Sequence, residues 1–420
     1  MNIRRTKRVF SFFVLFVLYA MRINAQQTFN DSIKKEYPFL CTDFNKIEND
    51  SVGLSHFYAK LLQLETSNIP RVCVVHFGDS HIQADFFSGK VRQDLQLQFG
   101  NAGRGLVIPY HVARTNEPNS YQTSTNSKWQ VRRNVVKNDT IPIGLSGVTI
   151  KSMDTSATLR IKVLDQPGLD YSFTKFTLFH DKSVNAFDFV VCDDENCVLG
   201  YINSSTPTGS NFASTEQLLK PMREIYFKNY QRDSILQKYS QVYGILLENG
   251  KPGLLYNTIG VNGAEFRHFN SSEYFNEQMA YLKPDLVIIS MGTNEAYSTK
   301  FDNFKFYKQI DSLITSIKKL NPTADFLLTT PSDSYRKRKV KNPDMRIARA
   351  TIQDYCHHHS LAYWDLYYIM GGYGSILDWF KKGLTAKDKL HFSRKGYELQ
   401  GELLYRALQN GYLNYKQHTH

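Results

Sequence analysis

Cysteine is scarce in this chain: five in 420 residues, at positions 41, 73, 192, 197 and 356. An odd and sparse set excludes the disulfide framework of a small secreted scaffold. Cys73 sits in an apolar run and reads as core. Cys192 and Cys197 bracket Asp193-Asp194-Glu195-Asn196. That reads as a hairpin tip, which a disulfide could close. The acids allow a metal loop as the other reading, but zinc-ligand spacing is not matched. The sequence also lacks internal repeats and low-complexity tracts, which excludes solenoids and propellers. Past the N-terminus no run is long and apolar enough to supply the roughly 20 residues a spanning helix needs.

The N-terminus differs from the rest. Arg4, Arg5, Lys7 and Arg8 precede a 12-residue apolar run, residues 9–20, and Ala25 offers a small residue before Gln26. This is the pattern of a secretory signal peptide over residues 1–25; an uncleaved anchor is the alternative. Removing its five basic residues lowers the formal charge from +12 to +7. An exported, mildly basic protein seldom meets nucleic acid, so anionic envelope glycan is the expected partner. The plainer reading is a basic surface that serves solubility. A composition of 42% hydrophobic and 21% charged residues is globular, with room for one large or two ordinary domains.

Two textures alternate along the chain. Residues 71–77 (RVCVVHF) are β-prone and break at Gly78-Asp79-Ser80; an amphipathic helix follows over 86–99. A helical pattern over 56–64 precedes that strand. From about Arg104 short runs appear at turn-like spacing: 141–145, 148–151, 159–163, 173–179 and 187–192. Several alternate apolar and polar, as in 157–163 (ATLRIKV), the mark of half-buried antiparallel strands. The α/β texture resumes near 254, with strands at 254–259, 286–290, 326–330 and 361–366. Helices fall at 272–282, 304–320 and 344–358, and a last loop and helix fill 384–412. This predicts a parallel, doubly wound sheet interrupted after its first helix by an inserted β-sandwich. The divisions are 26–103 for the first part of the α/β domain, 104–252 for the insert and 253–420 for the second part.

The strand-end loops carry the chemistry. Ser80 stands at the mouth of the first strand, where open α/β sheets bind ligands. Gly263 follows the next strand and Asn294 the one after; Asp388-Lys389-Leu390-His391 lies just before the last helix. A serine hydroxyl needs a base; imidazole suits that task, and a carboxylate must orient the imidazole. Asp388 is three residues before His391, so a tight turn can bring them together. Backbone N–H groups of Ser80 and Gly263, with the Asn294 amide, can converge on an oxyanion.

Gly78-Asp79-Ser80, Gly263, Gly292-Thr293-Asn294 and Asp388-Lys389-Leu390-His391, in that order, resemble the four signature blocks of the SGNH (GDSL-type) hydrolase family. The resemblance covers residues 71–104 and 253–410. It implies a flavodoxin-like three-layer α/β/α sandwich with no metal or organic cofactor. It also implies Ser80 as nucleophile, His391 as base, Asp388 as orienter, and Ser80, Gly263 and Asn294 as the oxyanion hole. One departure is His81, where the common block has leucine. Phe77 to His81, the long β-rich insert and Gly371-Gly372-Tyr373-Gly374-Ser375 resemble the peptidoglycan O-acetylesterase branch, whose insert is carbohydrate-module-like. The reading is an exported serine O-acetylesterase of peptidoglycan, working in the periplasm or cell envelope. The alternatives are a glycan O-acetyltransferase, an esterase for another polysaccharide or a lipid, and an idle glycan-binding protein.

Other features have plainer readings beside functional ones. Ser80 could be a turn serine capping a helix, Asn294 could satisfy a turn, and His391 could merely start a helix. His81 is a substrate contact or structural. Arg336-Lys337-Arg338-Lys339 and Lys341 follow the 326–330 strand; Arg336 and Arg338 are substrate-contact candidates for the carboxylates of peptidoglycan stems, or belong to a solvated loop. His357-His358-His359 reads as surface histidines over a metal tract, because adjacent helical residues face different ways. Trp129 and its neighbouring aromatics read as the core of the insert over a sugar-stacking surface.

Overall fold

The computed structural model describes residues 32–137, 140–205, 210 and 212–419. The signal-peptide reading of 1–25 lies outside them. An edge strand β1 (Ile47–Glu48) and helix α1 (Ser55–Glu65) lead to β2 (Arg71–Gly78), which is buried from Val72 onward. The short helix α2 (Ser80–Gln83) and the longer α3 (Phe86–Phe99) follow. α3 sets Phe87, Val91 and Leu95 into the core at helical spacing.

The chain then becomes all-β. Its strands are β3 (Gly105–Val107), β4 (Tyr121–Thr125), β5 (Gln130–Arg133), β6 (Val148–Ser152), β7 (Thr158–Val163) and β8 (Phe173–His180). After them come β9 (Asp188–Cys192), β10 (Val198–Ile202), β11 (Ala213–Met222), β12 (Glu224–Tyr230) and β13 (Ser240–Glu248). They form two antiparallel sheets, β10-β9-β12-β7-β4 and β11-β8-β13-β6-β5, with β3 paired to β13. Inner-face aromatics interlock between them: Phe227 meets Phe176 at 5.2 Å between ring centroids. Trp129 is buried and donates its indole N–H to Thr125 Oγ1 at 2.8 Å, in accord with the core reading.

From β13 a short turn leads straight into β14 (Gly253–Gly260). Helices α4 (Phe266–Asn270) and α5 (Phe275–Leu282), β15 (Leu286–Ser290), α6 (Thr293–Tyr297), α7 (Asn303–Leu320) and β16 (Asp325–Thr329) follow. A small hairpin β17 (Tyr335–Arg336) and β18 (Val340–Lys341), α8 (Asp344–His359), β19 (Ala362–Trp364), α9 (Ile376–Lys381) and α10 (Arg394–Thr419) complete the chain. The central sheet has the order β1-β19-β16-β15-β2-β14, parallel except for the edge strand β1. The fold is the expected α/β sandwich with added β-sheets.

Two expectations about elements fail. The 141–145 run is no strand. Glu273 accepts the N–H of Ile143 and Gln278 that of Leu145, at 2.8 and 2.9 Å. Side chains beside and on α5 thus satisfy this backbone while Ile141, Ile143 and Leu145 are buried. The 272–282 helix is shorter than read: Ser272 bonds back to the His268 carbonyl, and α5 begins at Phe275.

Candidate active site

Gly78 pairs with Gly260 on β14 and with Ser290 on β15. Three neighbouring strands therefore end at one level, and their loops leave the sheet side by side. That register converges Ser80, Gly263 and Asn294. A side chain at 78 would put its Cβ 2.3 Å from the Ser290 carbonyl oxygen and 2.7 Å from Ile82, so only glycine lets α2 start this close to the sheet. Asp79 caps α2, accepting the His81 N–H at 2.9 Å.

Ser80 Oγ lies 3.0 Å from His391 Nε2, and His391 Nδ1 lies 2.8 Å from Asp388 Oδ2. The other carboxylate oxygen of Asp388 accepts the backbone N–H groups of Leu390 and His391, each at 3.0 Å. Burial works to raise Asp388, but the bonds from the His391 ring and backbone prevail and hold it below the ordinary carboxylate range. It stays an acceptor and keeps the proton of a neutral His391 on Nδ1, leaving Nε2 free to take one from Ser80. The three groups form a relay suited to nucleophilic attack on an ester.

Gly263 has φ +82° and its Cα faces open space. Its loop is tied down by Gln83, which accepts the Asn262 N–H at 2.7 Å and donates to Thr115, at 2.7 Å, and to Asn116. Asn294 Nδ2 donates to Asp79 Oδ2 at 3.1 Å and to the Ala264 carbonyl at 2.9 Å. The amide is thus beside the Gly263 loop, but both its N–H groups already have acceptors, a constraint the oxyanion-hole reading did not foresee. Sequence reasoning also missed Gln83, whose side-chain partners come from two distant stretches, 115–116 and 262. Asp79 is buried, and burial pushes it up to about 7. Burial likewise pushes the neighbouring Glu295 up to about 8, although one of its oxygens accepts the Phe266 N–H.

His81 packs its ring 5.5 Å from that of His391 and pairs Nδ1 with the Tyr397 hydroxyl at 2.9 Å. Burial and the charge of His391 push it down to about 3, so it is neutral wherever His391 works. Arg336 is not a free substrate contact. It donates to the carbonyls of Ala296, Tyr297 and Ser298, at 2.8, 3.1 and 2.7 Å, and pairs with Asp344. It fastens the end of α6 to the start of α8. Arg338 stands exposed at the tip of the β17–β18 hairpin, and its carbonyl accepts from Lys389 at 3.3 Å. The tip therefore sits against the loop that carries Asp388 and His391.

The cysteines among the described residues are free. Cys192 and Cys197 do flank a hairpin tip, but Asp193 closes it by accepting the N–H groups of Glu195 and Cys197. Among the described residues no cluster of three or more His, Cys, Asp or Glu forms a metal site. His359 stacks on Tyr355 at 4.2 Å, and His357 meets Tyr363.

Residues 233–399 match the GDSL-like lipase/acylhydrolase family, a span that includes Gly263, Asn294, Asp388 and His391. No curated protein matches the chain. Among solved structures, one titled "Peptidoglycan O-acetylesterase in action" superposes with a TM-score of 0.72 at 20% identity, covering 86% of this chain and 96% of the other. A lipase/acylhydrolase from Enterococcus faecalis (24% identity, 38% of this chain, 77% of the other) reaches a TM-score of 0.30. An acetylxylan esterase from Geobacillus stearothermophilus (17% identity, 38% and 73%) reaches 0.29. The part of the chain that carries Gly263, Asn294, Asp388 and His391 thus matches the GDSL-like lipase/acylhydrolases, and with the strand-end blocks and this fold the chain is a carboxylic ester hydrolase.

Proposed function

We propose that this is an exported serine O-acetylesterase of cell-envelope glycan, with peptidoglycan as its substrate. The observation that carries the reading is the continuous relay Ser80–His391–Asp388 at the ends of the central strands. Ser80 Oγ attacks the acetyl carbonyl while His391 Nε2 takes its proton. His391 then returns that proton to the departing sugar hydroxyl, and water, activated by the same imidazole, releases acetate and frees Ser80. The oxyanion is stabilised by backbone N–H groups of Ser80 and Gly263. Asn294 joins them when one of its two existing bonds yields to the developing charge. The glycan reading is supported by a likeness that runs through the β-rich sheets as well as the catalytic part, over 96% of the compared O-acetylesterase structure. The basic leader and short apolar run of residues 1–25 support export to the periplasm.

The test is acetate release from O-acetylated peptidoglycan and from acetylated xylan, by wild type and by Ser80→Ala, with no acceptor sugar added. Release from peptidoglycan by wild type alone is expected. Release only from xylan would reassign the substrate. Release from neither would defeat the esterase reading on glycans.

A further inference from the structure

From Gly260 to Ala264, where β14 runs out into the loop that carries Gly263, the backbone N–H groups are nearly all spent within the protein. Gly260 donates to the Tyr110 hydroxyl and Val261 to the Gly78 carbonyl, each at 3.1 Å. Asn262 donates to Gln83 Oε1 at 2.7 Å and Ala264 to the Val261 carbonyl at 2.9 Å. In this run the N–H of Gly263 alone has no acceptor among the described residues. A backbone donor stabilises an oxyanion only when it is both unspent and already aimed. Gly263 is exposed, sits at φ +82° and has no side chain to hold it, so its aim has to come from its neighbours.

Those neighbours are fastened from the β-rich segment, by the loop between β3 and β4. The buried Tyr110 hydroxyl, which accepts the Gly260 N–H, also donates to the Gly260 carbonyl at 2.6 Å. Asn116 Oδ1 accepts from Gln83 Nε2 and from Asn262 Nδ2, each at 2.8 Å. Thr115 Oγ1 accepts from the same two groups at 2.7 and 3.3 Å. Held in this way, the Gln83 amide must show its oxygen, and not its NH2, to the Asn262 N–H. The loop has anchors of its own. The Thr115 N–H bonds the Tyr110 carbonyl at 3.0 Å, and Glu117 accepts the N–H groups of His111 and of Thr123 on β4, at 3.3 and 3.0 Å. Gln83 itself ends α2, the short helix that begins at Ser80. It lies so close to β14 that a Cβ at Gly260 would stand 2.2 Å from the Gln83 nitrogen. One pair of side chains, Thr115 and Asn116, thus clamps the helix of the nucleophile to the loop of the oxyanion donor.

We propose that Thr115 and Asn116 are positioning residues for ester cleavage. Through Gln83 and Asn262 they aim the Gly263 N–H at the oxyanion, so the β-rich segment completes the oxyanion hole without touching substrate. The inference rests on the ester-hydrolase reading of the Ser80 site and is independent of which acetylated substrate that site takes.

Two full-length double variants test this on p-nitrophenyl acetate. Thr115→Val with Asn116→Ala removes both acceptors, and Thr115→Ser with Asn116→Asp keeps both. The first is expected to lose about 10- to 100-fold in kcat with KM within about 2-fold of wild type, and the second to stay within about 3-fold in both. Asn116→Ala alone, at an exposed position, gives the same readouts with the least disturbance of the fold. Methylboronic acid reports on the oxyanion position directly. Ser80 Oγ bonds its boron while His391 takes the proton, and a hydroxyl of the resulting tetrahedral anion lies where the oxyanion forms. Its inhibition constant should rise in the first variant by the same order as kcat falls. The acid limb of the kcat/KM–pH profile should stay where wild type has it, because the Ser80–His391–Asp388 relay is untouched. Unchanged kcat and inhibition constant in the first variant, beside an active wild type, overturn the inference alone. So does an equal loss in both double variants, or a fall in kcat with no change in the inhibition constant. A wild type that leaves p-nitrophenyl acetate intact would overturn the inference together with the reading it rests on.

Discussion

Asp388 accepts three hydrogen bonds from two residues, and the one from the His391 ring depends on its having a second acceptor oxygen. Asp388→Asn keeps the shape but offers a donor where the His391 Nδ1 proton needs an acceptor. The imidazole then presents its N–H to Ser80, and kcat on a small acetyl ester is expected to fall on the order of 10⁴-fold with little change in KM. A fall of less than 10-fold would mean that the carboxylate does not set the tautomer. Because folding lowers the Asp388 pKa, its stabilising share is full above the ordinary carboxylate range and is lost as pH falls through the depressed value. Glu295 has the opposite sign. Folding raises it to about 8, so the folded chain keeps a proton that the unfolded chain has lost. Stability therefore drops by up to about 1.4 kcal/mol per pH unit between the ordinary carboxylate range and pH 8. Glu295→Gln removes that slope: its Tm relative to wild type should climb between pH 5 and pH 8. A constant difference across that range would contradict the assignment.

At the scale of elements, the β17–β18 hairpin divides its basic residues between two tasks. Arg336 caps carbonyls at the end of α6 and pairs with Asp344, whereas Lys337, Arg338 and Lys339 are exposed. Arg336→Ala is expected to cost about 1–3 kcal/mol in urea unfolding by leaving those groups without their donor. Replacing Lys337, Arg338 and Lys339 together by Gln should leave stability alone. It should raise KM on peptidoglycan and not on p-nitrophenyl acetate, and equal effects on both substrates would refute the substrate-steering role. The sequence could not separate these arginines, because the partners of Arg336 lie some 40 residues away and one turn further on. The chemistry-bearing blocks were legible for a converse reason. Each sits just past an apolar strand, and adjacent strands in register bring such positions together without further specification. What stayed hidden were cross-links through side chains of ordinary polar type: Gln83 to Asn262, Asn294 to Asp79, and Glu273 and Gln278 to the backbone of the misread 141–145 run. Strands such as β11, with eight exposed or half-exposed residues in a row at 214–221, gave no period to read.

Across the whole molecule, the β-sheets and the catalytic part are joined by a buried charge cluster. Asp85, at the head of α3, accepts from Arg92 at 2.7 Å and from Arg104 at 3.1 Å, and Arg104 continues to Ser120 and the Tyr121 ring. Asp85→Ala leaves two guanidinium groups buried without their counter-ion and should cost about 3–5 kcal/mol in denaturant unfolding. A loss under 1 kcal/mol would show that water reaches the cluster.

The direct passage from β13 into β14 has a consequence for the order of folding. β14 pairs with β2 from Gly253↔Arg71 to Gly260↔Gly78, across the entire β-rich segment. Closing so long a loop is slow. The intervening sheets must gather first for the two strands to meet at all. During synthesis, then, the strand that presents Ser80 emerges early with both flanks open, since its partners β14 and β15 both follow the β-rich segment. It remains an unpaired, largely apolar strand until residues 105–248 have compacted and delivered Gly253 beside Arg71. The β-rich sheets thus act as a clamp that times the birth of the active site, and weakening them would show itself as aggregation of nascent chains before any loss of catalysis.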